Sequence, residues 1–174
     1  MAAIPIRSAQ ARDLAAITRI YEHAVRHGTA SFEIEPPDER EMARRYEALR
    51  DGGYPYLVAE LDREIVGYAY AGPYRARPAY RFTVEDSIYI DPTVQRRGVG
   101  RVLLERLLVE AEQRGFRQMV AVIGDSANTP SIALHAALGF RMTGTFETVG
   151  FKFGRWLDSV MMQKALGDGA TTAP

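Results

Sequence analysis

From Thr83 to Leu108 the chain reads TVEDSIYIDPTVQRRGVGRVLLERLL, and few folds accommodate that succession. Ser87-Ile88-Tyr89-Ile90 is β-branched and aromatic, as a strand requires, and Asp91-Pro92 ends it because proline has no N–H for a continuing ladder. Gln95-Arg96-Arg97-Gly98-Val99-Gly100 comes next, after which Val99, Leu103, Leu107 and Ala111 recur at helical spacing. Two glycines at a helix opening leave backbone N–H groups uncovered where the dipole is positive, which makes an anion site. Arg96, Arg97 and Arg101 add full charges that suit a pyrophosphate. The same letters would also serve a plain glycine turn with solvated arginines. A Walker phosphate loop is excluded, since no Gly-Lys-Ser/Thr follows, and a dinucleotide fingerprint lacks its third glycine.

The remaining chain surrounds this unit with strands and helices. Ile4–Arg7 reads as a short strand. A helix follows from Asp13, with Leu14, Ile17, Tyr21 and Ala24 or Val25 on its apolar side and Gly28 at its end. Pro36-Pro37 forbids helix until Asp38 caps a second, charged one over about Glu39–Arg50. Tyr56–Glu60 and Ile65–Tyr70 form a hairpin through Asp62-Arg63-Glu64. Met119–Ile123 is continuously apolar, as a strand covered on both faces should be. Asn128-Thr129-Pro130 opens a helix to Leu138, and Gly139-Phe140 breaks it. Two last strands, about Arg141–Val149 and Phe153–Gln163, flank Gly150-Phe151-Lys152. The predicted fold class is α/β: a mixed central sheet of about seven strands flanked by about four helices, in one domain over 1–166. The small polar residues 167–174 read as a disordered tail.

Composition limits the function. The 174 residues suffice for one full core. The 22 basic and 22 acidic residues cancel, which argues against nucleic acid or an anionic membrane as partner. No apolar run approaches the ~20 residues of a membrane span, and the N-terminus lacks a signal peptide's apolar core. The chain holds no cysteine and its three histidines lack ligand spacing, so no metal site is expected. A cytoplasmic enzyme is the resulting expectation.

The Gln95–Gly100 segment, following a strand and opening a helix, resembles the acyl-CoA-binding motif of the GCN5-related N-acetyltransferases, and the element order over Ile4–Gln163 is similar to that fold. Longer stretches resemble one subgroup, the phosphinothricin and methionine sulfoximine N-acetyltransferases: Tyr70–Tyr80, Thr83–Ser87, Val120–Gly124, Leu134–Phe140 and Val149–Asp158. The resemblance implies acetyl-CoA as co-substrate and a small amino-acid analogue, phosphinothricin, methionine sulfoximine or arsinothricin, as acceptor. It also implies a role in resistance and a homodimer. Tyr70–Tyr80 is similar to the phosphinothricin branch and Lys152–Asp158 equally to the sulfoximine branch.

An α-amino group is mostly protonated at neutral pH, so transfer needs a general base. Glu85 stands where the subgroup carries its carboxylate; Asp86, on the opposite face of a regular strand, is the weaker candidate. His135 occupies a position where the wider family often has a tyrosine acid, and an imidazole can act as acid or base. On a face with Ile132, Leu134 and Leu138 it can equally be a satisfied core residue. By the resemblance, Ile88, Tyr89 and Ile90 meet the pantetheine arm through their backbone. Gln95, Arg96, Arg97, Gly98, Val99, Gly100 and Arg101 hold the pyrophosphate, and Asn128 and Ser131 contact the cofactor from the next helix. Asn128 also has the chemistry of a plain N-cap. For the acceptor, Arg75 and Arg77 offer guanidinium forks to an anionic group, with Tyr80 close by in sequence and Glu85 near the amine, and the resemblance implies that Phe32 lines the same pocket. With no cysteine to carry an acyl group, direct attack in a ternary complex is expected. A protein N-terminal acetyltransferase would need an open peptide groove, and a non-catalytic acyl-CoA sensor would have no use for Glu85.

Overall fold

The computed structural model describes residues 4–174; positions 1–3 of the expected domain, with the start of the N-terminal segment searched for a signal peptide, lie outside the described residues. The elements are β1 (Ile6–Ser8), α1 (Leu14–His27), α2 (Glu39–Asp51), β2 (Tyr56–Leu61), β3 (Glu64–Pro73), β4 (Thr83–Ile90), α3 (Val99–Gln113), β5 (Gln118–Gly124), α4 (Thr129–Ala137), β6 (Arg141–Lys152) and β7 (Arg155–Ala165). The strands form one sheet in the order β1-β2-β3-β4-β5-β7-β6. Only the β4–β5 pair is parallel, and the other neighbours run antiparallel. The expected mixed seven-stranded sheet with four helices is therefore what forms. No described helix is long and apolar enough to cross a membrane.

Alternation along the strands sends apolar side chains to both faces. On one face α1 and α2 set Ile17, Tyr21, Val25, Met42 and Tyr46 against Tyr56, Val58 and Tyr68. On the other, α3 sets Leu103, Leu104, Leu107 and Ala111 against Leu57, Ala59, Ala69 and Val84. The ends of these elements follow local chemistry. Asp38 Oδ1 accepts from the Glu41 N–H at 2.8 Å, the N-cap bond expected of it. Asp62 and Arg63, with φ of 50° and 68°, make the primed two-residue turn between β2 and β3. Ahead of α1 the chain makes a tight turn over Ala11–Asp13. There the buried Asp13 carboxylate takes the Arg7 guanidinium at 2.7 and 2.8 Å and the Gln10 N–H at 2.8 Å.

One expected boundary is corrected. The last hairpin does not turn at Gly150-Phe151-Lys152; β6 continues through them, with Gly150 opposite Leu157 and Lys152 opposite Arg155. The reversal is Phe153-Gly154, whose φ values of 53° and 72° are those a primed turn demands. The C-terminal residues, marked by composition as a tail, lie beside β5: the Arg117 guanidinium donates to Thr172 Oγ1 at 2.6 Å and to the Ala173 carbonyl at 3.1 Å.

The feature that positions the site is a break in pairing. The β4–β5 register runs from Thr83↔Gln118 to Asp86↔Ala121 and stops there. Beyond it β4 stays paired to β3 as far as Ile90, and β5 to β7 as far as Gly124. Two parallel neighbours thus carry unshared edges over the same stretch.

Candidate active site

A cavity of about 260 Å³ opens at this break. Ser87, Ile88 and Tyr89 line it from β4, Val122, Ile123 and Gly124 from β5, Asn128, Ser131 and His135 from the α4 segment, and Phe32 from the loop after α1. Glu85 and Asp86 stand where the strands part and line it too. A second cavity of about 340 Å³ lies against α2, bounded by Arg45, Leu49, Tyr70 and Gly72, and Glu85 and Ser87 belong to both. Glu85 is thus a carboxylate shared between two adjoining spaces.

Its electrostatics follow from that position. Glu85 is half-buried. Burial first, and then the charge of neighbouring Asp86, push its carboxyl upward from the ordinary glutamate value, with the Arg75 charge acting in the opposite sense. A carboxylate raised in this way holds a proton more readily and is a better match for accepting one near neutral pH.

Strand alternation turns Asp86 away from Glu85, toward α4. Its side chain is 2% exposed, as is that of His135, and Oδ2 lies 3.0 Å from His135 Nε2. The other ring nitrogen, Nδ1, lies 2.7 Å from the Ser131 carbonyl one helical turn earlier. Burial opposes charge on this ring, but the Asp86 hydrogen bond and charge, together with the Ser131 carbonyl, outweigh it and raise its pKa above the ordinary histidine value. Asp86 Oδ1 is buried without a hydrogen-bond partner among the described residues.

The Phe32 wall is held by close approach. A Cβ on Gly124 would lie 2.3 Å from the Thr29 carbonyl oxygen and 2.9 Å from the Phe32 ring, and one on Gly150 would lie 2.5 Å from that ring. Lys152, at the end of β6, is buried and donates from Nζ to the Gly28 carbonyl at 2.9 Å and the Ser31 carbonyl at 2.8 Å. Ser31 Oγ lies 2.9 Å from Tyr21 Oη, which donates to Glu33 at 2.8 Å, and Glu33 takes Arg45 at 2.6 Å. A chain of polar contacts from β6 to α2 therefore fixes this loop.

The anion loop follows β4. Gly98, at φ 85°, is the left-handed residue that starts α3, a conformation glycine adopts without a steric penalty. The first-turn N–H groups of such a helix have no intrahelical acceptor. Gln95, Arg96 and Arg97 are exposed, Val99 is buried, Gly100 approaches Leu134, and Arg101 pairs with Glu105 at 2.8 Å. None of Gln95–Arg101 lines either cavity, nor does Ile90. Asn128 Oδ1 accepts from the Ser131 N–H at 3.4 Å, the N-cap contact, while both residues also line the first cavity.

Of the residues expected at the acceptor, Phe32 and Glu85 meet at the cavity, whereas Arg75, Arg77 and Tyr80 are exposed and line neither space. The Arg75 guanidinium lies over the Tyr74 ring at 4.7 Å, and Tyr80 packs edge-on to Tyr74 at 5.6 Å. The polar contacts of Ser31 and Tyr21 carry no signal in the sequence, and Lys152 stands there in the expected turn and in the stretch similar to the sulfoximine branch, with nothing to give it a partner. The alternation in Gly-Phe-Lys-Phe marks a lysine facing opposite to two aromatics, the one local hint of its burial. Among the described residues no cluster of three or more His, Asp or Glu could hold a metal.

Residues 6–161 match the model of the acetyltransferase (GNAT) domain. The chain is 54% identical over 172 residues to a phosphinothricin N-acetyltransferase of Alcaligenes faecalis, covering 99% of this chain and 87% of that protein. It is 46% identical over 165 residues to an L-methionine sulfoximine/L-methionine sulfone acetyltransferase of Salmonella typhimurium, covering 95% and 96%. Among solved structures, a phosphinothricin acetyltransferase of Sinorhizobium meliloti in complex with acetyl-CoA superposes with a TM-score of 0.96 at 49% identity, over 98% of this chain and 92% of the other.

Proposed function

Since this chain belongs to the GNAT acetyltransferase family, we propose that it acetylates the α-amino group of a small anionic amino-acid analogue from acetyl-CoA. The acceptor class is phosphinothricin, methionine sulfoximine or a similar toxic glutamate analogue such as arsinothricin, and the outcome is detoxification. The observation that carries this reading is Glu85, a raised carboxylate on the wall between two adjoining cavities.

The unshared edge of β4 leaves the backbone N–H and C=O groups of Ile88 and Ile90, which alternation turns away from β3, for the pantetheine arm, which pairs there as an added strand would; Tyr89 lies between them with its backbone turned to β3. The first turn of α3, with Arg96, Arg97 and Arg101, receives the pyrophosphate, and Asn128 and Ser131 border the same cavity. Glu85 takes a proton from the substrate ammonium. The freed nitrogen attacks the thioester carbon and forms the C–N bond, the C–S bond breaks, the CoA thiolate leaves with the electron pair of that bond, and the second proton shed by the nitrogen passes to the thiolate sulfur. Both substrates are bound together, and no enzyme thiol intervenes. Phe32 closes one side of the acceptor space. Arg75 and Arg77 reach the acceptor's anionic group if the exposed 74–82 loop folds inward on binding. Their present exposure and the Arg75 charge felt at Glu85 are compatible with that movement.

A homodimer in the cytoplasm is part of the same reading. β6, β7 and the turn between them expose Met142, Phe146, Val149, Phe151, Phe153 and Trp156, each at 50% or more, and exposed apolar side chains in this number favour a protein partner.

Thiol release with acetyl-CoA and L-phosphinothricin, L-methionine sulfoximine, L-glutamate or a short peptide tests the assignment. Saturable turnover on either analogue is expected; turnover on the peptide alone would replace this reading by protein N-terminal acetylation.

A further inference from the structure

The reaction just described leaves one buried titratable pair unused, Asp86 and His135. Counting hydrogens around the imidazole narrows its state to two. A neutral imidazole has one N–H donor and one acceptor nitrogen, and the protonated ring has two donors. The Ser131 carbonyl, 2.7 Å from Nδ1, can only accept, so Nδ1 carries a hydrogen. Asp86 Oδ2 can meet Nε2 in two ways: ionised it accepts, and that nitrogen carries a hydrogen as well; protonated it would donate, and the ring would be neutral. We propose that Asp86 is a positioning residue that holds His135 as a doubly protonated imidazolium, a fixed cationic post in the cavity wall that is not a proton acceptor in catalysis.

The surroundings support this assignment. An isolated buried carboxylate is costly, and it persists when paired. Among the described residues the ring is the hydrogen-bond partner Asp86 has, since Oδ1 has none. The groups packed against the pair supply no competing cation: Glu85 and Ser87 flank it on β4, Ala121 is its register partner on β5, Ser131 lies on α4, and Phe140 packs edge-on to the ring at 5.0 Å. Glu85 is the other ionisable group among these neighbours, and its charge is of the sign that favours the protonated ring. Both ring hydrogens are therefore engaged. To serve as base the ring would first have to surrender the Asp86 bond, and to serve as acid it would leave Asp86 buried and unpaired. The base role in the proposed acetyl transfer falls to Glu85 alone; that half of the inference rests on the function proposed above, whereas the state of the ring does not.

The test is imidazole 15N NMR of the full-length protein with labelled histidine, followed between about pH 5 and pH 9, a range that spans the ordinary histidine transition. Both nitrogens of His135 are expected to carry a hydrogen through the range in which an ordinary histidine loses one. In Asp86→Asn the side-chain amide can donate to Nε2 and keep the bond, so the ring should lose one of its two N–H signals while the Ser131 contact remains. A wild-type Nε2 without hydrogen, or a His135 step that coincides with the acid limb of kcat/KM, would overturn the proposal, as would an Asp86→Asn spectrum unchanged from wild type. The spectra need no substrate, so failure of the acetyl-transfer reading and failure of this one remain separable.

Discussion

Replacing Gly124 by alanine adds one methyl group at the end of β5, and the geometry there sets the consequence. The new Cβ would lie 2.3 Å from the Thr29 carbonyl oxygen, against about 3.4 Å for ordinary contact, so the loop or the strand must yield by about 1.1 Å. The strand is paired to β7 through Gly124↔Ser159 and is the stiffer partner. The loop is tied by Lys152 at 2.9 Å to the Gly28 carbonyl and 2.8 Å to the Ser31 carbonyl, on either side of Thr29. A shift of that size stretches at least one of these bonds out of range. Overpacking costs about 1–3 kcal/mol, and a strained hydrogen bond from a charged donor adds to it. At about 2–4 °C per kcal/mol for a chain of this size, thermal unfolding should fall by roughly 2–12 °C. Phe32 moves with the loop, so KM for the amine should rise more than KM for acetyl-CoA. Gly144→Ala is the control, because a Cβ there meets nothing within 4 Å. Scanning calorimetry with two-substrate kinetics reads both effects. Equal unfolding temperatures for Gly124→Ala and Gly144→Ala would refute the claim that Gly124 is required by the Thr29–Phe32 approach.

Lys152→Met keeps an unbranched side chain but leaves the Gly28 and Ser31 carbonyls without their donor; each unsatisfied group costs about 1–3 kcal/mol, so denaturant unfolding should show a loss of at least about 2 kcal/mol. Asp13 is held below the ordinary aspartate range by the Arg7 hydrogen bond, against the effect of burial, with help from the Gln10 N–H. A depressed folded value contributes stability above the unfolded pKa and loses it as pH falls through the folded one. Asp13→Asn should therefore be less stable than wild type at neutral pH, with the gap narrowing toward about pH 3, as urea titrations at the two pH values would show. If the proposed dimer forms through the exposed apolar face of β6 and β7, Trp156→Arg should lower its sedimentation mass to that of a monomer without altering the unfolding of the single chain.

What could be read from letters was local. The strand, glycine loop and helix from Thr83 to Leu108 announce themselves because period, proline stop and glycine N-terminus all act within a few residues. The Asp38 cap and the Asp62-Arg63 turn are of the same kind. The last hairpin misled because Gly150 reads as a turn glycine, whereas its missing Cβ makes room for the Phe32 ring from a distant loop. Contacts of long sequence separation carried no signal. His135 meets Asp86 across 49 positions and Lys152 meets Ser31 across 121, and both depend on the sheet order. Alternation did assign Asp86 to the face opposite Glu85, but only the packing of α4 shows what waits there. For Arg75, Arg77 and Tyr80, closeness in sequence to aromatic residues gives no position relative to a cavity, and these three lie outside it.

The most direct measurement is kcat/KM for the amine against pH, for wild type and Glu85→Gln, with acetyl-CoA saturating. Wild type should lose rate as pH falls through a value above the ordinary glutamate range, the direction in which burial and Asp86 move Glu85. Glu85→Gln should be slower by about 10²–10⁴-fold, as removal of a general base implies, and should lack that limb. A Glu85→Gln enzyme that retains either the rate or the limb would contradict the assignment of Glu85 as the base.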